Sequence, residues 1–226
     1  GVEVIRIPLR QRGKNSGKGM ALNYLSFIIS GYLFAPFALK GKKFDVVFVY
    51  APSPLLQALP AVCLSWLKRA PLVLWVQDIW PEALVATGFI ESRWILRMVE
   101  LAVRYIYRFS DLVLIPSEGF GASVERWANK GKRIQFFPNT AEDASLRVEP
   151  SAAYAPLADE IAASFAIVFA GNIGTAQSCE TIIGAAKLLQ CHEGIKFYLV
   201  GSGSMAKSVR QGIEDNQLTN VAMTGQ

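Results

Sequence analysis

Short runs rich in Val, Ile and Phe alternate along this chain with longer segments of helical periodicity, and few folds accommodate that pattern. A strand buried on both faces reads as a continuous apolar run, and parallel neighbours need a helix-length crossover between them. Strands are expected at 2–8, 44–50, 72–77, 112–115, 134–137, 166–170, 196–200 and 221–224. Between 92 and 109, Ile95, Val99, Ala102 and Ile106 recur at helical spacing with Arg93, Arg97, Arg104 and Arg108 distributed around them.

The alternation breaks between Asn139 and Ser164, where Thr140, Pro150, Ser151 and Pro156 accompany an Ala-rich, acidic stretch. The charge changes sign at the same place. Residues 1–140 carry 18 Lys and Arg against 9 Asp and Glu, and the remainder carries 5 against 9. Two lobes are expected, 1–140 and 165–226, joined by a linker over 141–164. The second lobe has three strands before Gln226, fewer than a doubly wound domain holds, so it is expected to be incomplete, and the first lobe to lack its first strand. Composition excludes other classes: 52% hydrophobic residues argue against disorder, and Cys63, Cys179 and Cys191 have neither CxxC spacing nor a Cys/His cluster. They read as reduced thiols, with no metal site.

Between Gly19 and Leu39 there is no charged residue, while Arg6, Arg10, Arg12, Lys14, Lys18, Lys40, Lys42 and Lys43 flank the run against Glu3 alone. The length suits a membrane span, a helix lying in the membrane interface, or a buried helix. Strands on both sides of the run argue against a span, and Asn23, Ser26, Ser30 and Pro36 weaken it further. The basic residues flank an apolar helix instead of a base-stacking surface, so nucleic acid is not an expected partner.

In open parallel sheets ligands gather beyond the carboxyl ends of the strands. Four places qualify: Ser53 after the second expected strand, Gln77-Asp78-Ile79-Trp80-Pro81-Glu82 after the third, Gly171 to Ser178 after the sixth, and Gly201-Ser202-Gly203-Ser204 after the seventh. Both glycine-rich turns lead into helices, a geometry that aims backbone N–H groups at a phosphate. Any tight turn also needs such glycines. Neither turn matches GxGxxG, and no GxxxxGK[ST] is present, which disfavours nicotinamide, flavin and P-loop sites. Asp78 reads either as a polar group facing a sugar or acceptor, or as the N-cap of a helix opening at Pro81 and Glu82. His192, the only histidine, reads as solvated or capping.

Placed together, WVQDIWPEAL at 75–84, SDLVLIPSEGF at 110–120, FFPNTAED at 136–143, FAGNIGTAQS at 169–178 and LVGSGS at 199–204 resemble the family 4 retaining glycosyltransferases of the GT-B fold. The resemblance is narrower still to the bacterial surface-polysaccharide branch that includes fucosamine-type transferases. It implies an α/β, GT-B-like chain of two Rossmann-like, doubly wound parallel-sheet domains. It further implies a nucleotide-diphosphate sugar donor on the C-terminal lobe and a lipid-linked saccharide acceptor on the N-terminal lobe, with peripheral attachment to the cytoplasmic face of the inner membrane. On that resemblance Gly171, Asn172, Gly174 and Gln177 line the diphosphate, Gly201 and Gly203 approach the nucleotide, and Asn139 lies at the hinge. Asp78 is the candidate catalytic residue, with Ser53, Gln77, Trp80 and Glu82 on the acceptor side. No DxD occurs, as in metal-independent members, and no cofactor is implied.

Departures from the family pattern are specific. Asn172 and Gln177 stand where the family commonly has Arg and Lys, and Gln77 and Asp78 stand where it often has a histidine. The family's paired glutamates are expected beyond Gln226. The resemblance therefore leaves two rivals open: a nucleotide-sugar epimerase or hydrolase of the same fold, and a non-catalytic GT-B-like subunit that binds a membrane or partner.

Overall fold

The computed structural model describes residues 1–11, 17–86, 92–140 and 155–225. The chain divides into two compact units, Gly1–Ala141 and Glu142–Gln226.

In the first unit a long helix, α1 (Gly17–Ala38), precedes a sheet of β1 (Val47–Ala51), β2 (Leu72–Val76), β3 (Leu112–Ile115) and β4 (Ile134–Phe136). All neighbours are parallel and the order is β1-β2-β3-β4. The crossovers are α2 (Leu59–Lys68), the pair α3 (Glu82–Ala86) and α4 (Arg93–Phe109), and α5 (Gly121–Trp127). A parallel sheet that grows in one direction through right-handed crossovers places its helices on one face. The core follows: Ala51, Leu74, Val76, Val113 and Ile115 on that face pack against Val99, Val103, Ile106 and Tyr107 of α4 and Val124 of α5. The register pairs Tyr50 with Trp75 on the opposite face, where Phe48, Tyr50, Trp75 and Phe137 form an aromatic cluster with ring centroids 5.0–6.3 Å apart.

Local chemistry explains where elements stop. α2 ends at Arg69, which takes a left-handed conformation (φ 52°) as its N–H reaches the Ser65 and Trp66 carbonyls. α4 ends at Ser110, whose hydroxyl donates to the Ile106 carbonyl at 2.8 Å. Asp111 then locks the strand edge: its carboxylate accepts from the Leu72 N–H at 2.7 Å while its own N–H donates to the Leu72 carbonyl at 2.8 Å.

The second unit is an α/β layer of β5 (Phe165–Ala170), β6 (Ile195–Val200) and β7 (Val221–Gly225), parallel in that order, with α7 (Cys179–Leu188) and α8 (Ala206–Asp215) as crossovers. Ile173, Cys179, Leu199 and Val209 form its central core. α6 (Ala155–Ala162) precedes β5, inside the segment expected as linker; residues 141–154 lie outside those described.

Seven of the eight expected strands form, with ends shifted by no more than three residues. The exception is 2–8. Residues 1–11 carry no strand, and Val2, Val4 and Leu9 are exposed. Their β-favouring side chains pair with no strand, the outer edge of β1 included, and an unpaired strand has no stability of its own. The topological objection to a membrane-spanning α1, which needed a strand there, falls with it.

α1 itself is arranged inside out. Asn23, Ser30 and Gly31 are buried, whereas Leu22, Leu25, Ile29, Leu33 and Phe37 recur every three or four residues along the exposed face. The polar side chains are satisfied inward: Asn23 donates to the Arg10 carbonyl, Ser26 accepts from the Arg10 N–H at 3.0 Å, and Tyr32 donates to the Leu59 carbonyl at 3.1 Å. Gly31 lets the helix press onto α2, since a Cβ there would lie 2.6 Å from Pro60 Cγ. Among the described residues, then, one face of α1 is packed and the other is open.

Candidate functional site

At the carboxyl ends of β1 and β2 the first unit has a pocket of about 450 Å³, a volume typical of small-molecule sites. Ser53, Asp78 and Trp80 line it together with Tyr24, Leu25 and Ile28 of α1 and Ile95 and Val99 of α4. Asp78 is the one carboxylate among the described lining residues, most of which are apolar. Its side chain makes no hydrogen bond among the described residues, and α3 opens at Glu82 with Ala83 N–H donating to the Ile79 carbonyl at 2.8 Å. The capping role considered for Asp78 is therefore not the one it plays. A lone carboxylate in such a wall can accept a hydrogen bond from a ligand hydroxyl. Trp80 is 4% exposed, and its indole N–H has no partner among the described residues.

The other acceptor-side residues are engaged differently. Asn139 donates through its side-chain amide to Gln77 Oε1 at 2.8 Å, which leaves Gln77 Nε2 buried without a partner. Glu82 accepts from the Trp127 indole at 2.9 Å and lies 3.6 Å from the Arg126 guanidinium. It thereby ties α3 to α5. Behind it, burial first and the negative charge of Glu82 second push the Tyr107 phenol well above its ordinary range.

In the second unit both glycine turns lie at the carboxyl ends of β5 and β6 and are zipped to each other. Gly171 N–H donates to the Val200 carbonyl, Ile173 N–H to Ser202 and Met205 N–H to Ile173, each at 2.9 Å. Gly171 and Gly201 take φ of 153° and 143°, a region that favours glycine. At Gly203 a Cβ would stand 2.6 Å from the Ile173 carbonyl carbon and 2.7 Å from Asn172 Oδ1. Close approach of two backbones is what Gly203 permits. Beyond these turns, α7 and α8 begin without a side-chain cap; Ala206 N–H donates to the Gly203 carbonyl at 3.2 Å, and the positive end of each helix adjoins the turns. Gly171, Asn172, Gly174, Gln177, Gly201 and Gly203 are thus all on adjacent turns at one sheet edge. Asn139 lies in the first unit.

Burial pushes the Cys179 thiol up, and its side chain is packed in the core. Cys63 and Cys191 are also free, and His192 is exposed beyond α7. No group of three or more His, Cys, Asp or Glu among the described residues could hold a metal ion. No sequence signal marks α1 as part of the pocket at Asp78; that juxtaposition is tertiary.

Two parallel α/β units with ligand-sized space and glycine turns at their strand ends define a class, and comparison places it. The fold is that of the GT-B glycosyltransferases. Anabaena Alr3699/HepE, in a crystal structure with UDP, superimposes with a TM-score of 0.61 at 18% identity, over 91% of this chain and 53% of that one. WaaG, a glycosyltransferase involved in lipopolysaccharide biosynthesis, gives 0.61 at 14% identity, over 98% and 56%. A probable glycosyltransferase of Pseudomonas aeruginosa, WbjE, is 24% identical over 226 residues, 99% of this chain and 55% of that protein. The family model for the glycosyl transferase 4-like domain matches residues 1–140, and the chain belongs to that family. It spans about half the length of these relatives.

Proposed function

We propose that the full protein is a retaining glycosyltransferase that moves a hexosamine-like sugar from a nucleotide diphosphate to a lipid-linked saccharide during synthesis of a bacterial surface polysaccharide, O-antigen or capsule. The observation that carries this reading is the pair of zipped glycine turns, which sets two uncapped helix starts at one sheet edge. Backbone N–H groups and helix dipoles there suit a diphosphate, whose charge grows as the bond from the anomeric carbon to its oxygen breaks. Gly171, Asn172 and Gly174 take the diphosphate, with Gln177 beside them, while Gly201 and Gly203 adjoin the nucleotide. Asp78 accepts a hydrogen bond from the acceptor hydroxyl, whose oxygen forms the new bond on the retained face as its proton passes to the departing diphosphate, and Ser53 and Trp80 shape its surroundings. Gln77, Asn139 and Glu82 position that wall.

The acceptor's lipid anchor fits the inside-out α1. A helix that buries Asn23 and Ser30 and exposes Leu25, Ile29, Leu33 and Phe37 suits an interfacial position at the cytoplasmic face of the inner membrane. Basic residues Lys40 and Lys43 follow it.

The test supplies the full-length protein with a nucleotide-diphosphate sugar carrying a labelled sugar, with and without lipid-linked saccharide in vesicles. Label moving to lipid only when acceptor is present supports transfer. Free labelled sugar or an isomerised donor without acceptor would replace it by hydrolysis or epimerisation, and no turnover at all would favour a binding subunit.

A further inference from the structure

At the opposite, amino-terminal end of the first sheet lies a second cavity, of about 770 Å³, that the reading above does not use. The segments entering three strands converge on it: Arg69 to Pro71 before β2, Arg108 to Asp111 before β3, and Asn129 to Arg133 before β4. Five cations line it against a single carboxylate.

Two of those charges are already spent. Asp111 accepts from the Leu72 N–H, and Lys132 donates to the Arg108 carbonyl at 3.1 Å and to the Ser110 carbonyl, closing the end of α4. Burial holds the Lys132 amine below its ordinary range, against the opposing pull of Asp111. Arg69, Arg108, Lys130 and Arg133 have no ion-pair partner among the described residues. Between them is a tight turn in which Lys132 N–H donates to the Asn129 carbonyl at 3.1 Å and Gly131 takes φ 81°. The N–H groups of Lys130 and Gly131 inside it have no partner among the described residues. Four cations without an ion-pair partner, Arg108 among them with its guanidinium 5.7 Å from the Phe109 ring centroid, and two backbone donors around one cavity match the acceptor-only oxygens of a phosphate group.

We propose that this cavity is a phosphate-binding site, remote from Asp78 and independent of the donor turns. The adjoining Trp66 and Leu67 are exposed, and Trp66 stacks edge-on with Phe109 at 4.8 Å, so a phospholipid headgroup has apolar surface beside it for its glycerol and acyl portion. Free phosphate offers the same oxygens without the tail.

The test compares the full-length protein with Arg108→Gln/Lys130→Gln/Arg133→Gln and with a charge-matched control, Arg97→Gln/Lys187→Gln/Arg210→Gln, on exposed positions away from both sites. Each is titrated with inorganic phosphate, and separately with vesicles of phosphatidylcholine alone or with phosphatidylglycerol added. The first triple is expected to weaken the anionic interaction about 100-fold, since each cation near an anionic surface contributes about a factor of five. The control should change it less than about threefold. Loss confined to phosphatidylglycerol vesicles names the headgroup as ligand, and loss of inorganic phosphate binding names the free anion; both support the site. Equal weakening by the two triples, or none by the first, overturns it. Because none of these residues adjoins the donor turns, sugar transfer to a detergent-solubilised acceptor should survive the first triple, which separates this proposal from the functional one.

Discussion

Substituting Gly203 by alanine tests the idea that the two turns of the second unit are built by backbone-to-backbone approach. The new methyl would stand 2.6 Å from the Ile173 carbonyl carbon and closer still to its oxygen, and neither atom belongs to a side chain that can rotate away. The turns must separate by roughly an ångström, which weakens the Ile173–Ser202 and Met205–Ile173 bonds. Two backbone bonds at about 1 kcal/mol each, with an overpacking cost of about 1–3 kcal/mol, give a loss of about 3–5 kcal/mol. Gly171→Ala is the internal comparison. It meets no heavy atom within 4 Å and pays only for its φ of 153°, about 1–3 kcal/mol. Urea unfolding followed by circular dichroism should rank Gly203→Ala below Gly171→Ala and both below the parent. A Gly203→Ala protein within about 0.5 kcal/mol of the parent would refute the reasoning.

Removing the Asp111 carboxylate with Asp111→Ala leaves the Leu72 N–H without its charged acceptor and should cost about 2 kcal/mol in the same unfolding assay. Tyr107 has a folded pKa raised above its ordinary 10.0, so its neutral form is favoured in the native state; the contribution is complete below about pH 10 and is lost as pH rises beyond it. Stability measured from pH 9 to 11 should therefore fall, and Tyr107→Phe should flatten that fall. On α1, Ile29→Ser/Leu33→Ser/Phe37→Ser should abolish flotation with anionic vesicles while leaving the urea midpoint nearly unchanged, because those side chains are exposed. Retained flotation would remove α1 from the membrane account.

The parallel sheets were legible because buried strands such as 72–76 and 112–115 are apolar without interruption and charged helices separate them. The stretch 2–8 is also rich in Val and Ile but is interrupted by Glu3 and Arg6, and it forms no strand, since docking on a sheet edge is not reported by β-favouring residues alone. For α1 the apolar run was legible but its orientation was not. Asn23, Ser26 and Ser30 look like interruptions in a membrane helix, and only the position of Arg10 and α2 makes them its protein-facing side. Glycines 201 and 203 marked a turn; that they admit a second backbone became visible only with Gly171 and Ile173 beside them. Asp78 could be placed at a strand end from sequence, whereas its solitude in an apolar wall depends on side chains from α1 and α4.

The most direct measurement of the central claim is calorimetric titration of UDP, GDP, dTDP, CMP and NAD into the full-length protein and its Asn172→Ala variant. The account predicts that one nucleoside diphosphate binds, that NAD does not, and that Asn172→Ala weakens the interaction. Absence of binding by every nucleoside diphosphate, or binding indifferent to Asn172, would contradict the assignment of the zipped turns as a donor site.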